Sequence, residues 1–247
     1  MMRLLPLTKA LLRSRVHELI VYLKFLRIAV EKDAFVSANG GQEQLPLDKE
    51  LTHMLKANVC LLLYSAMEAC MVQLLDEMHD TIGRNCQGTD QLNSQLVLMV
   101  ARHFKSSRTE LTVDNTSSPL HENLFKAWLC DWQDRDQREK REAGLSGSVD
   151  SLAIFKRLSR FGVFDVGMKK PPAHLAHNAL QNIKGRRNQL AHGERSFKEL
   201  GQDLAFEELC RDARAVFRTL RRVAQEVNVF LQHQRYLAAS VLAPMEA

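Results

Sequence analysis

The chain has 247 residues, 45% of them apolar and 26% charged, and only six prolines and eleven glycines interrupt it. That is an ordinary globular composition, sufficient for a sizeable core and open to long helices. Its five cysteines, Cys60, Cys70, Cys86, Cys130 and Cys210, form no C-x-x-C pair, so neither a disulfide framework nor a zinc ribbon is supported. The formal net charge is +5; between Lys184 and Arg222 stand ten Lys or Arg against six Asp or Glu, a local excess that favours an anionic partner such as nucleic acid.

In chain order, "MMRLLPLTKALLRSR" has too short an apolar run for a secretory leader, and the chain reads as cytoplasmic. Leu12, Val16, Leu19, Leu23, Leu26 and Val30 step by four and three, which predicts one long amphipathic helix from Thr8 to Lys32. "SANGGQEQLP" predicts a loop, and Asp48 a helix cap. From Lys49 to Ile82 the next helix is apolar nearly all round, long enough to test as a membrane span; Glu68 in its middle points instead to a buried central helix and no membrane partner. Gly83 to Thr89 is expected to close it.

Shorter helices are predicted at Gln91–Phe104 and His121–Trp132, with a polar loop at Thr112–Pro119. "DWQDRDQREKREAGLSGS", dense in both charge signs, reads as a solvated, mobile connection. Further helices follow at Asp150–Phe161, His174–Ala191 and Leu204–Tyr236, and no segment alternates as a strand would. The predicted class is all-α: a helical bundle of long antiparallel helices with additional short ones. We expect one domain, 1–247, with a variable insertion around 83–149.

The chemistry concentrates in "GRRNQLAHGERSFKELG", residues 185–201. On a regular helix five residues turn the chain by about 500°, so Arg187 and His192 point about 140° apart, whereas Asn188 and His192 share a face. Gly193 suits a left-handed stop, and a histidine at a helix C-terminus is favourable without any function. Ser196 and Glu199 have capping-box spacing for a second helix directly after it. Lys184, Arg186, Arg187 and Arg195 are candidates to hold phosphate, and Arg211, Arg214 and Arg218 form a basic stripe on the last helix that could track an RNA backbone or be simply solvated. Cations plus one proton-moving group suffice for metal-free phosphodiester chemistry. His174 and His177 lack further ligands for a metal site, and Trp128 and Trp132, one turn apart, read as packing.

"RRNQLAHGERSF" resembles the R-x4-6-H signature of HEPN domains, with Arg187, Asn188 and His192 on the motif, and the longer R-N-x-L-A-H-G-x-x-S-F resembles the MAE-type prokaryotic branch. "LLLYSAMEACM" is similar to that branch's L-Y-x-x-x-E helix at Tyr64 and Glu68, and "SGSVDSLAIFKRLSRFGV" to its segment before the motif. The resemblance implies a helical fold, a homodimer that joins two motifs, no cofactor, and in many members a metal-independent endoribonuclease of toxin–antitoxin or phage-defence systems. On it Arg187, Asn188 and His192 are catalytic. Our own reading adds Glu68, with Tyr64 on the same face, as a support that reaches the motif by pairing with Arg187 or His192, and Ser196 as a further support; with RNA as substrate, Lys184, Arg186, Arg195, Arg211, Arg214 and Arg218 are expected to face it. An antitoxin or defence-system protein would be a further partner. The alternative is a HEPN module that binds RNA or protein without cutting.

Overall fold

The computed structural model describes residues 5–31, 34–38, 43–106, 120–145, 148–165, 167–175 and 177–242. α1 (Pro6–Glu31) leads through a hairpin, β1 (Phe35–Ala38) and β2 (Glu43–Pro46), into α2 (Lys49–Asn85). A short 3-10 turn at Thr89–Gln91 precedes α3 (Ser94–Ser106), α4 (Leu120–Asp134), α5 (Gln137–Leu145) and α6 (Ser151–Phe161). A second 3-10 turn at Ala173–Leu175 opens onto α7 (His177–Ala191), α8 (Phe197–Gln202), α9 (Phe206–Gln232) and the short α10 (Ala239–Leu242). The architecture is all-α, as the periodicities predict, with one exception. β1 and β2 pair antiparallel, Val36 opposite Leu45, where the sequence predicts only loop. The β-formers Phe35, Val36 and Leu45 stand in runs too short to register as alternation. The expected polar loop at Thr112–Pro119 lies outside the described residues.

α2 is the axis of the fold. Residues on every side of it are buried between Ala57 and Ile82, and α1, α7, α8 and α9 all pack against it. By length and composition α2 could cross a membrane, but 61% of its most apolar window is covered by the other helices. One hydrophobic core runs from Leu5 to Tyr236 and takes in Leu96, Phe125, Trp128 and Trp132 from the segment expected as an insertion. α2 ends at Asn85 with Cys86 as its cap, inside the expected closing segment Gly83–Thr89. At Gly83 itself the helix is unbroken, and the missing side chain makes room for Leu129 of α4, whose methyl would stand 3.0 Å from a Cβ there.

α1 buries Leu12, Leu19 and Leu26 of its predicted stripe, while Val30 is exposed. Its start is held by a residue the periodicity does not reveal. The Glu77 carboxylate, 6% exposed in the last third of α2, accepts hydrogen bonds from the backbone N–H groups of Leu7 (2.9 Å) and Thr8 (2.7 Å). Two donors that a first helical turn leaves unpaired are thereby satisfied, and the negative charge sits at the positive end of the helix. Pro6 opens α1 at the position where no N–H is needed.

The charged stretch 131–143 is not a loose connection. It completes α4 and forms α5, because its opposite charges fall one turn apart: Arg135 pairs with Asp131 (2.5 Å) and Arg138 with Glu142 (3.1 Å). One side of α5 returns to α2, where Lys140 meets Asp76 at 3.1 Å and Gly144 lies against Leu75 and Trp132.

α8 approaches α2 more closely than side chains would allow. A Cβ on Gly201 would stand 1.7 Å from the carbonyl oxygen of His53, a backbone atom that cannot move aside as a side chain can. Gly201→Ala should therefore destabilise the fold by about 2–3 kcal/mol or more, measured as a lowered denaturation midpoint. Gly185→Ala, with open space around it, serves as the control and should be neutral or slightly stabilising.

Candidate nucleic-acid site at the end of α7

α7 ends in a Schellman motif. Gly193 adopts φ 68°, its N–H donates to Leu190 O (3.3 Å), and Glu194 N–H donates to Gln189 O (2.9 Å). Up to that point the helix is regular, for His192 N–H still donates to Asn188 O at 2.9 Å. Directly beyond, Ser196 caps α8 in a capping box with Glu199: Ser196 Oγ accepts from Glu199 N–H (3.2 Å), and Glu199 Oε2 accepts from Ser196 N–H (2.8 Å). Ser196 thus sets the chain reversal after the motif. His192 stands exposed between the two helices.

Because the last turn is regular, Arg187 and His192 diverge by the full angle of about 140°. Arg187 turns inward, its guanidinium carbon 4.7 Å from the centroid of the Tyr64 ring, while its Nη1 donates to Asn188 Oδ1 (3.1 Å). Asn188 therefore orients Arg187, not the histidine. The Tyr64 hydroxyl accepts from Val149 N–H (3.2 Å) and hydrogen-bonds Glu68. Burial pushes that phenol's pKa up; the Val149 N–H and the Arg187 charge oppose the rise, and Glu68 adds to it. Glu68 thus reaches the motif through Tyr64: the L-Y-x-x-x-E helix and the R-N-x-x-x-H helix meet where Tyr64 meets Arg187.

The other cations of the motif are committed elsewhere. Lys184 Nζ bonds Asp150 Oδ2 at 2.6 Å, while Asp150 Oδ1 caps α6 by accepting from Ala153 N–H (2.8 Å). Arg186, expected at RNA, is instead enclosed between α7 and α9, where it bonds Glu208 and, at 2.9 Å, Asp212. Burial alone would lower its pKa, but Glu208, Cys60 and Asp212 raise it. Beside it the Cys60 thiol is pushed up to about 11, chiefly by burial. Arg195 bonds Asp203 Oδ2 and Glu199 O, both at 2.6 Å.

Nor does the basic stripe of α9 converge on the motif. Arg214 and Arg218 lie about 120–160° round the helix from Asp212, which faces α7. They line a groove of about 770 Å³ against α1 with an apolar floor that includes Leu19, Leu23 and Phe217. Arg211 is exposed, about 100° from Asp212. Glu208 and Asp212, which hold the motif helix in place, were legible as an acidic i, i+4 pair, with Asp212 set among the apolar positions Leu209, Ala213 and Val216. Among the described residues no group of three or more His, Cys, Asp or Glu is arranged to hold a metal ion.

A family model described as MAE_28990-like HEPN matches residues 12–236. The chain belongs to this HEPN family. Neither a curated protein nor a solved structure matches it. The HEPN match runs from Leu12, within α1, to Tyr236 and takes in Tyr64, Glu68, Arg187, Asn188 and His192 together.

Removing Arg186 leaves Asp212, 5% exposed, without its counter-charge. Arg186→Ala should cost about 3–5 kcal/mol. Asp212 already has a pKa raised by burial, an effect Arg186 offsets only in part. A carboxyl with a folded-state pKa above its unfolded value favours folding as pH falls through that folded value. The variant should therefore recover part of its lost stability on acidification, whereas an Arg186→Ala, Asp212→Asn double variant should show less of that recovery, both read by denaturation at several pH values.

Proposed function

We propose that this HEPN protein is a metal-independent endoribonuclease whose active site is completed across a homodimer. The observation that carries the reading is the geometry of α7. Arg187 is fixed inward by Asn188 and Tyr64, His192 is exposed at the helix end, and the turn between them is regular, so one chain does not aim both side chains at one phosphate. A second copy, related by a two-fold axis, supplies the missing partner to each.

In such a site one His192 takes the proton of the ribose 2′-hydroxyl, and O2′ attacks phosphorus. The 5′-oxygen leaves with a proton returned by a histidine, and a 2′,3′-cyclic phosphate remains. Imidazole titrates near neutrality and can do both tasks. Arg187 neutralises the charge that builds on the phosphoryl oxygens, its planar fork suited to two of them. Tyr64 and Glu68 position Arg187 and do not themselves touch the phosphate. A toxin or phage-defence role, with an antitoxin as partner, follows from the resemblance of the motif.

The second reading is a HEPN module that binds RNA or a protein partner without cutting. The commitment of Lys184, Arg186 and Arg195 to internal partners favours it, since these cations are no longer available for phosphate.

Purified protein should cleave RNA in EDTA to products with 2′,3′-cyclic ends, and Arg187→Ala and His192→Ala should each abolish cleavage. Mixed and re-annealed, the two inactive variants should recover about a quarter of wild-type activity: half of the dimers are mixed, and each of those holds one intact site of two. No recovery on mixing would place both groups of a site in one chain; no cleavage by the wild type across varied RNAs would leave the binding module.

A further inference from the structure

Away from the motif, a cavity of about 270 Å³ opens between α2, α3, α4 and α6. Four arginines line it, Arg102, Arg135, Arg157 and Arg160, against one carboxylate, Asp131, which is already bonded to Arg135 at 2.5 Å. The excess of positive charge is built around Arg157. Its guanidinium lies over the rings of Trp132 (5.7 Å) and Phe161 (5.2 Å), and its Nε is sealed from solvent with no hydrogen-bond partner. Among the described residues no carboxylate pairs with Arg157, Arg160 or Arg102. Two ring faces do not repay the desolvation of a guanidinium, and its charged neighbours Arg160 and Arg135 raise the cost.

The same cavity holds a second unsatisfied group. His79, 1% exposed, stacks on Trp132 at 4.2 Å and its Nδ1 bonds Leu75 O at 2.7 Å. Nδ1 must then carry the proton, which leaves Nε2 as a lone-pair acceptor, and Nε2 has no partner. Burial, then the charge of Arg157, holds the ring neutral, its pKa pushed down to about 3. A fitting ligand must be an anion for the arginines and must also carry an O–H for His79. His79 stacks on Trp132, and the cations of Arg157 and Lys140 also lie over that ring.

We propose that this cavity is a binding site for phosphate or a phosphomonoester, with Arg157 and Arg160 on the anionic oxygens, Arg102 and Arg135 at the rim, and His79 Nε2 accepting from a protonated oxygen. The site is independent of the R-N-x-x-x-H motif and uses none of its residues. Sulfate, which has the same shape but carries no proton near neutrality, is the discriminating competitor.

The test is thermal unfolding and calorimetric titration of the full chain with inorganic phosphate, a sugar phosphate and sulfate, each against chloride at matched ionic strength. Phosphate or the sugar phosphate should raise Tm, whichever binds more tightly naming the source, and sulfate should do so less. Arg157→Met should raise Tm in phosphate-free buffer, by removing an uncompensated charge, and abolish the response to phosphate. Arg160→Gln, at an exposed side chain that does not threaten folding, should weaken phosphate affinity about tenfold, and His79→Phe should erase the preference over sulfate. No stabilisation by either phosphate, an equal response to sulfate in the wild type, or an undiminished response in Arg157→Met and Arg160→Gln would overturn the proposal.

Discussion

Between Ala57 and Ile82, α2 buries residues round its whole circumference, so every other long helix must find a place against it or against a neighbour that touches it. The hydrophobic effect has no direction, and enclosure alone would not fix where each helix lies. Polar contacts do that. Glu77 receives the first turn of α1, Asp76 receives Trp132 and Lys140, and Tyr64 receives Arg187 and the backbone of Val149. Each is a polar or charged group set into an apolar helix, satisfied by one or two particular incoming segments. The packing is generic; the register is written in these few atoms.

The same division explains why the basic cluster of the motif looks different in three dimensions. Lys184, Arg186 and Arg187 are near neighbours in the chain but leave α7 in different directions, toward α6, α9 and α2. The first two join helices. Arg187 is held instead by a neutral amide and an aromatic face, and His192 stands exposed at the helix end. A local charge excess thus records the work of assembling the bundle as much as any affinity for an anion.

Much of the fold was legible because it rests on periodicity. The stripe Leu12, Leu19, Leu26 and the all-round burial of α2 follow from spacing, and the caps at Asp48 and Ser196 from residue type and position. What escaped depends on pairings across long separations. Nothing near Glu77 announces that its partners lie 69 and 70 residues away. The helix at 137–145 escaped because its charges looked solvated, although they sit at helical spacing. Of the motif, the identity of Arg187, Asn188 and His192 and the link to Tyr64 and Glu68 were readable. The inward turn of Arg187 and the enclosure of Arg186 were not, since both depend on which helix packs beside α7.

The meeting of Gly201 with the carbonyl of His53 has a consequence for how such a chain can drift over generations. Where two side chains touch, a larger one on one helix can be matched by a smaller one on the other, and the pair changes together. Here one partner is main chain, which every amino acid carries alike, so no substitution at position 53 can make room at 201. The spot offers no compensating route. It anchors α8, and with it the end of the R-N-x-x-x-H helix, at a point that mutation elsewhere cannot renegotiate.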